Sequence, residues 1–253
     1  MSRRFKKHIR RWFAKILPVP GFVAPEQLVG NLYTSYIVSD PTTIVLSGRV
    51  FAMTERMGRG DDFLMQPTGA SGGPLFEQED AVLGQPVMWQ GTDESCGLSS
   101  VSALAPMTNG SGQHGAYIVG THVPLNSTKA IVGALGVDSY IGSTPANHGI
   151  VYTNGRAAQD NQAMGNQGFA LFVDMDGSHI DATVHYMDGS VHSWSTTGGP
   201  EAVWLGLTMM TRAANANPWP GALAECGFTT GPFSPEDKDA LLTKRLRPLY
   251  GFA

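Results

Sequence analysis

Two Asp-Gly dipeptides, Asp176-Gly177 and Asp188-Gly189, stand one strand length apart. Asp-Gly between alternating apolar residues is the strongest short-range signal for a two-residue, type I′ hairpin loop. Read as such loops, they pair Val173 with Ile180, Leu171 with Ala182 and Phe169 with Val184. The second turn then pairs Tyr186 with Val191 and His185 with His192. One face of this meander is Phe169, Leu171, Val173, Ile180, Ala182, Val184, Tyr186 and Val191, every one apolar or aromatic. A sheet with such a face must bury it against a second sheet or a helix layer.

The opposite face of the same strands reads Phe172, Asp181, Thr183, His185, Met187, His192 and Trp194. His185 opposite His192 would bring two imidazoles within reach of one ion, with His179 or Asp181 further along. Structural and catalytic zinc requires three or four ligands in fixed geometry, so no metal site is assigned. Trp194 beside polar side chains suits a sugar ring better. His185, His192 and Trp194 are therefore the expected glycan contacts. Solvent or a neighbouring subunit covering a plain outer face remains the alternative.

The rest of the chain agrees with a loop-rich β domain. Its 253 residues include 31 Gly and 16 Pro, and only 15% are charged. That length fits one sandwich. No run of about 18 uninterrupted apolar residues occurs, so no transmembrane segment is expected. Two cysteines, Cys96 and Cys226, do not make a disulfide framework, and buried free thiols are the simpler reading. Near the C-terminus a mostly apolar strand, Ala222 to Phe228, runs into a helix signal. Ser234 stands at N-cap, Pro235 at N1, and Glu236 and Asp237 in the first turn. Leu242, Leu246, Leu249 and Tyr250 share one helical face. Lys244, Arg245 and Arg247 give the helix end its favourable sign, and Pro248 predicts an early stop.

Charge is segregated. Arg3, Arg4, Lys6, Lys7, Arg10, Arg11 and Lys15 are seven of the 17 basic residues, and the first acid is Glu26. The remainder carries ten basic against 21 acidic residues. Over residues 1–17, Phe5, Ile9, Trp12, Phe13 and Ile16 fall on one helical face and the basic residues on the other. Pro18 and Pro20 end this helix and open a linker to about Val29. Docking on a partner protein, lying on a membrane surface and touching nucleic acid all suit such a helix. Docking, with the apolar stripe buried on a partner protein, is the reading adopted; no nucleic-acid-binding fold follows the helix.

Ordered motifs from about residue 24 to the end carry a family resemblance. They are Pro25-Glu-Gln-Leu28 with Gly30, Ser39-Asp-Pro-Thr-Thr-Ile44, Gly48-Arg-Val-Phe-Ala-Met53, Gln66 to Pro74, and Gly84-Gln-Pro-Val-Met-Trp-Gln-Gly91. Gly221-Ala-Leu-Ala-Glu225, Phe233-Ser-Pro-Glu-Asp237 and Tyr250-Gly251 complete them. In this order they resemble the concanavalin A-like, laminin G-type jelly-roll domains of tailed bacteriophages and phage-like particles. Three positions depart from that pattern. Tyr36 stands for the usual first-strand aromatic, Met53 for a Trp, and Glu55 for an Asp.

The resemblance implies an all-β, concanavalin A-like jelly-roll sandwich of two antiparallel sheets over residues 30–253. A Pro-containing linker would span 18–29 and an anchoring helix 1–17. It further implies a virion surface protein, held to capsid or tail proteins by that helix and displayed as a homo-oligomer. Its task would be adsorption to host-surface glycans, without cofactor or sequence-specific nucleic-acid recognition. A cement protein without ligand and a polysaccharide-degrading enzyme are the alternatives. Paired carboxylates on one strand face, the mark of many glycosidases, are not evident. Glu77 to Asp80 reads as a turn, and Glu225 has no acidic neighbour two or four residues away. The expectation is a chain that binds and does not cut, through loops such as Asn109–Gly115 and Ser143–Gly155.

Overall fold

A computed structural model describes residues 23–40, 44–46, 49–57, 65–68, 73–90, 96–100, 113–134, 139–153, 155–197, 206–211 and 217–253. The expected helix over residues 1–17, with Phe5, Trp12 and their basic neighbours, lies outside them, as do Asn109 to Gly112. The described residues form two antiparallel sheets. In the first, the order is β15 (Val191–Thr197), β14 (His179–Tyr186), β13 (Gly168–Asp176), β8 (Gln113–Thr121), β17 (Gly221–Thr229), β6 (Val87–Gln90) and β5 (Leu75–Glu77). β1 (Leu32–Ile37) pairs with the second half of β17. In the second sheet the order is β12 (Arg156–Ala163), β11 (His148–Thr153), β10 (Ser139–Ser143), β9 (Lys129–Ala134), β16 (Leu207–Met209), β7 (Gly97–Ser100), β4 (Met65–Thr68), β3 (Val50–Met53) and β2 (Ile44–Leu46).

The apolar face of the meander is buried between the sheets as its alternation requires. Phe169, Leu171, Val173, Ile180, Ala182 and Val184 all join the central core with Ile118, Val132, Ile141 and Val151. The turns that deliver it differ from expectation. In the first, Asp176 stays in the strand, and its carboxylate accepts from the backbone N–H of Ser178 and His179. The loop is thus Gly177-Ser178, with Gly177 at φ +86°. Partners move by two residues, so Leu171 faces Val184 rather than Ala182. A two-residue shift keeps every side chain on its face.

The second turn changes more. Tyr186 N–H donates to Ser190 O and Gly189 N–H to Tyr186 O, which makes Met187-Asp188-Gly189 a three-residue loop. Gly189 closes it at φ +86°, the left-handed residue such loops need. One extra loop residue moves the register by one and turns β15 over. His185 now faces Val191, and Val184 faces His192. Val191 is 51% exposed, while Trp194 is buried in the core.

A second apolar layer covers the outer face of the first sheet. Ser234 caps the C-terminal helix by accepting from Asp237 N–H, as its sequence predicts. The helix does not stop early. It runs as α1 (Pro235–Leu241), one wide π turn (Leu242–Leu246) and α2 (Arg247–Tyr250). Leu242, Leu246 and Tyr250 pack on Tyr117, Val119, Phe172 and Ala224 of the sheet. Arg245 is not a solvated helix-end charge. Its side chain is wholly buried and grips Glu225 of β17 through two nitrogens, one at 2.9 Å. Tyr250 Oη donates to the same carboxylate at 2.9 Å, and Arg245 Nη1 donates to Val23 O at 2.7 Å.

Residues 24–29, read from sequence as the end of a linker, belong to this layer: Ala24, Pro25 and Val29 are buried. Arg56 ties them down by pairing with both Glu26 and Asp40. Ser143 to Gly155 is no long loop either, since Thr144 to Asn147 turn β10 directly into β11. Cys96 and Cys226 are buried free thiols. No helix among the described residues is long and apolar enough to cross a membrane.

Removing one partner of a buried ion pair strands the other charge, at a cost of about 3–5 kcal/mol. Arg245→Ala should therefore lower the unfolding free energy by about that amount in urea titrations. A loss below about 1 kcal/mol would show that the pair is hydrated in solution.

Candidate functional site

The three expected glycan contacts do not form one site. His185 stays on the outer face of its sheet, half-buried, its ring edge-on to Phe172 at 6.0 Å. His192 and Trp194 have gone to the other face with the turned strand. There they close the sandwich. Trp194 lies over Gly149, where even a Cβ would meet the indole at 2.9 Å, and its Nε1–H donates to Ala158 O at 3.2 Å. His192 Nδ1 lies 3.0 Å from an oxygen of Asp160, a carboxylate only 3% exposed. Asp160 also accepts from Gln162 N–H, and Tyr186 packs edge-on against the His192 ring at 5.1 Å. These groups bolt edge strand β15 of one sheet to edge strand β12 of the other. The metal arrangement considered from sequence is gone with the shared face, and no cluster of metal-binding side chains occurs among the described residues.

An aromatic pair that sequence reasoning passed over stands on the outer face of the second sheet. Tyr140 of β10 and Tyr152 of β11 are direct cross-strand partners. Their rings stack at 5.4 Å with planes 26° apart, above Ala130 and Ile150. Burial, and then Tyr152, push the Tyr140 hydroxyl above its ordinary pKa. Tyr140 covers one face of Tyr152. Across the other side the register places Ala157 of β12, which is exposed and ends at a methyl group. The second face of Tyr152 is thereby left with a short floor beside it. Gln159, two residues along the same face of β12, is exposed and reaches His148 Nδ1 at 3.3 Å. Wall, floor and polar end stand side by side along one slot on this outer face. The period-2 spacing of Tyr140, Ile150 and Tyr152 against Ile141 and Val151 is the sequence signal that points to it, set among residues of loop-like composition.

No protein-family model matches the chain, and no curated protein matches it by sequence. Solved structures do. Domain 4 of AbnA, an extracellular arabinanase of glycoside hydrolase family 43 from Geobacillus stearothermophilus solved with arabinotriose, aligns at a TM-score of 0.58 and 13% identity. The alignment covers 83% of this chain and 98% of that one. A family 54 α-L-arabinofuranosidase aligns at 0.52 and 12% identity over 89% of this chain, which spans 61% of that enzyme. Tailspike protein 2 of a bacteriophage of Escherichia coli O157:H7 aligns at 0.51 and 11% identity over 73% of this chain and 28% of its own. At these identities the likeness is one of fold, an all-β sandwich. It corrects the expectation of a chain without catalysis, because the sandwich is shared with chains of glycoside hydrolases.

Two further histidines, and His185, answer to burial. His114 on β8 is 1% exposed, and burial pushes its imidazole down to about 4. Burial also lowers His122, which lies 5.2 Å from the Trp219 ring, against a pull upward from the Gly165 and Met164 backbone. His185 is lowered by burial first and then by Arg247 and Lys238. An unfolded imidazole takes its proton near 6.5. A depressed folded value therefore adds stability above about pH 6.5 that is lost as pH falls toward 4. For His114 the loss reaches about 3 kcal/mol. Urea titrations between pH 7 and pH 4 should show this decline, and His114→Gln should flatten it. An equal decline in that variant would place the acid sensitivity elsewhere.

Proposed function

We propose that this domain is a glycan-engaging sandwich of the concanavalin A-like jelly-roll type, with the Tyr152 slot as its sugar contact. The slot carries the reading. The C–H groups on a sugar's apolar face are weakly positive and pack against the negative face of an aromatic ring. The amide of Gln159 beside it suits hydroxyl groups, as sugar sites join an aromatic wall to a few placed polar groups. A ring of about 11 non-hydrogen atoms at about 0.3 kcal/mol each gives roughly 3–4 kcal/mol, a millimolar site. Useful adhesion then requires many copies acting together. Display on a particle through the basic helix over residues 1–17 supplies them in this proposal, and the fold likeness to a tailspike supports it.

Degradation of the glycan is the second reading. The fold shared with arabinofuranosidases favours it, together with the Asp160–His192 pair at the sandwich seam. Affinity electrophoresis in gels containing soluble polysaccharide tests binding. Retention is expected for the wild type and should fall at least tenfold in Tyr152→Ala, while Val191→Ser should leave it unchanged. Equal retention of Tyr152→Ala would remove the slot from the account. Release of reducing ends that disappears in Asp160→Asn would establish hydrolysis in place of binding alone.

A further inference from the structure

We propose that the Tyr152 slot selects uncharged sugar rings and turns away polyanionic glycans, an inference that rests on the glycan reading above. Recognition of a uronate carboxylate or a sulfate calls for a fixed cation, best a guanidinium with two parallel donors. Among the described residues, none lines the slot. Its described walls and rim are Tyr140, Tyr152, Ile150, Ala157, Gln159 and His148. Arg156 is the neighbour of Ala157 on β12, and successive side chains along a strand point to opposite faces. Its Nη1 donates instead to Gly177 O at 3.4 Å, on the β13–β14 turn of the other sheet. Lys129 belongs to the same sheet as Tyr140 but pairs with Ser143, at the far end of β10, and is 9% exposed.

The Arg156 hook has a second effect. It holds the β13–β14 turn beside the start of β12, and that turn carries the exposed carboxylate of Asp176. The wider field has the same sign, since residues 18–253 hold ten basic and 21 acidic residues. A neutral ring needs only the aromatic face, the methyl floor and the amide, all of which are present.

The test is affinity electrophoresis of the whole chain against two neutral polymers, arabinan and galactomannan, and two anionic ones, polygalacturonate and heparin. It is run at low and at physiological salt. The wild type should be retained at least tenfold more strongly by a neutral polymer than by either polyanion. Ala157→Phe fills the floor of the slot at an exposed position and should abolish that retention with the circular dichroism spectrum unchanged. Ala157→Arg sets a cation beside the ring and should gain salt-sensitive binding of polygalacturonate by fivefold or more. Stronger retention of the wild type by polygalacturonate or heparin would overturn the selectivity alone. Retention by a neutral polymer that Ala157→Phe leaves intact would overturn the assignment to this slot. No retention by any of the four polymers would overturn the glycan reading and this inference with it.

Discussion

The buried pair of Glu225 and Arg245 governs how this molecule is layered. Glu225 stands on β17, which pairs with β8 on one side and with β1 and β6 on the other. A carboxylate there, away from water, is tolerable only if its oxygens are satisfied. The helix supplies what is needed, with two nitrogens of Arg245 and the hydroxyl of Tyr250. The remaining Arg245 nitrogen reaches Val23 O. One ion pair thus sets where the C-terminal helix lies, how far around it must wind, and where the chain enters the domain. An apolar pair of similar volume would fill the space without setting the register of helix on sheet.

Closing the flanks of a sandwich is a separate problem, because each sheet ends in strands with unpaired backbone groups. On one flank the chain answers with side chains, Trp194 to Ala158 O and His192 to Asp160. On the other it answers with backbone. Val50 N–H donates to Pro74 O at 2.8 Å, and Arg49 bridges to Leu75. Two of the three residues that looked most like ligand contacts, His192 and Trp194, are thus spent on closure. Among the described residues, the outer face of the second sheet near β11 and β12 keeps exposed side chains at Ala157 and Gln159.

Much of this architecture is legible in the amino-acid sequence. Alternation in residues 169–184 identifies the buried face correctly, because the error in the first loop is an even number of residues. The second loop is off by one, and parity does the rest: His192 and Trp194 change sides. A dipeptide alone does not distinguish a two-residue loop from a three-residue loop ending at the same glycine. Phase along the helix identifies Leu242, Leu246 and Tyr250, but Arg245 looks like a surface charge, since its partner lies 20 residues earlier in sequence. Tyr140 and Tyr152 are hidden for another reason. Glycine, serine and asparagine at 142–149 resemble loop composition, although here they serve a four-residue turn and the two paired strands beside it.

The hydrogen bond from Arg245 to Val23 also gives the domain a polarity. It fixes the point where residue 23 meets the body on the helix-covered side, while Tyr152 lies on the opposite outer face, two sheets away. Anything attached through the segment preceding Val23 starts from the helical back of the sandwich. The order of the layers therefore sets its aromatic face opposite the side where the chain enters, as the bowl of a spoon lies opposite its back.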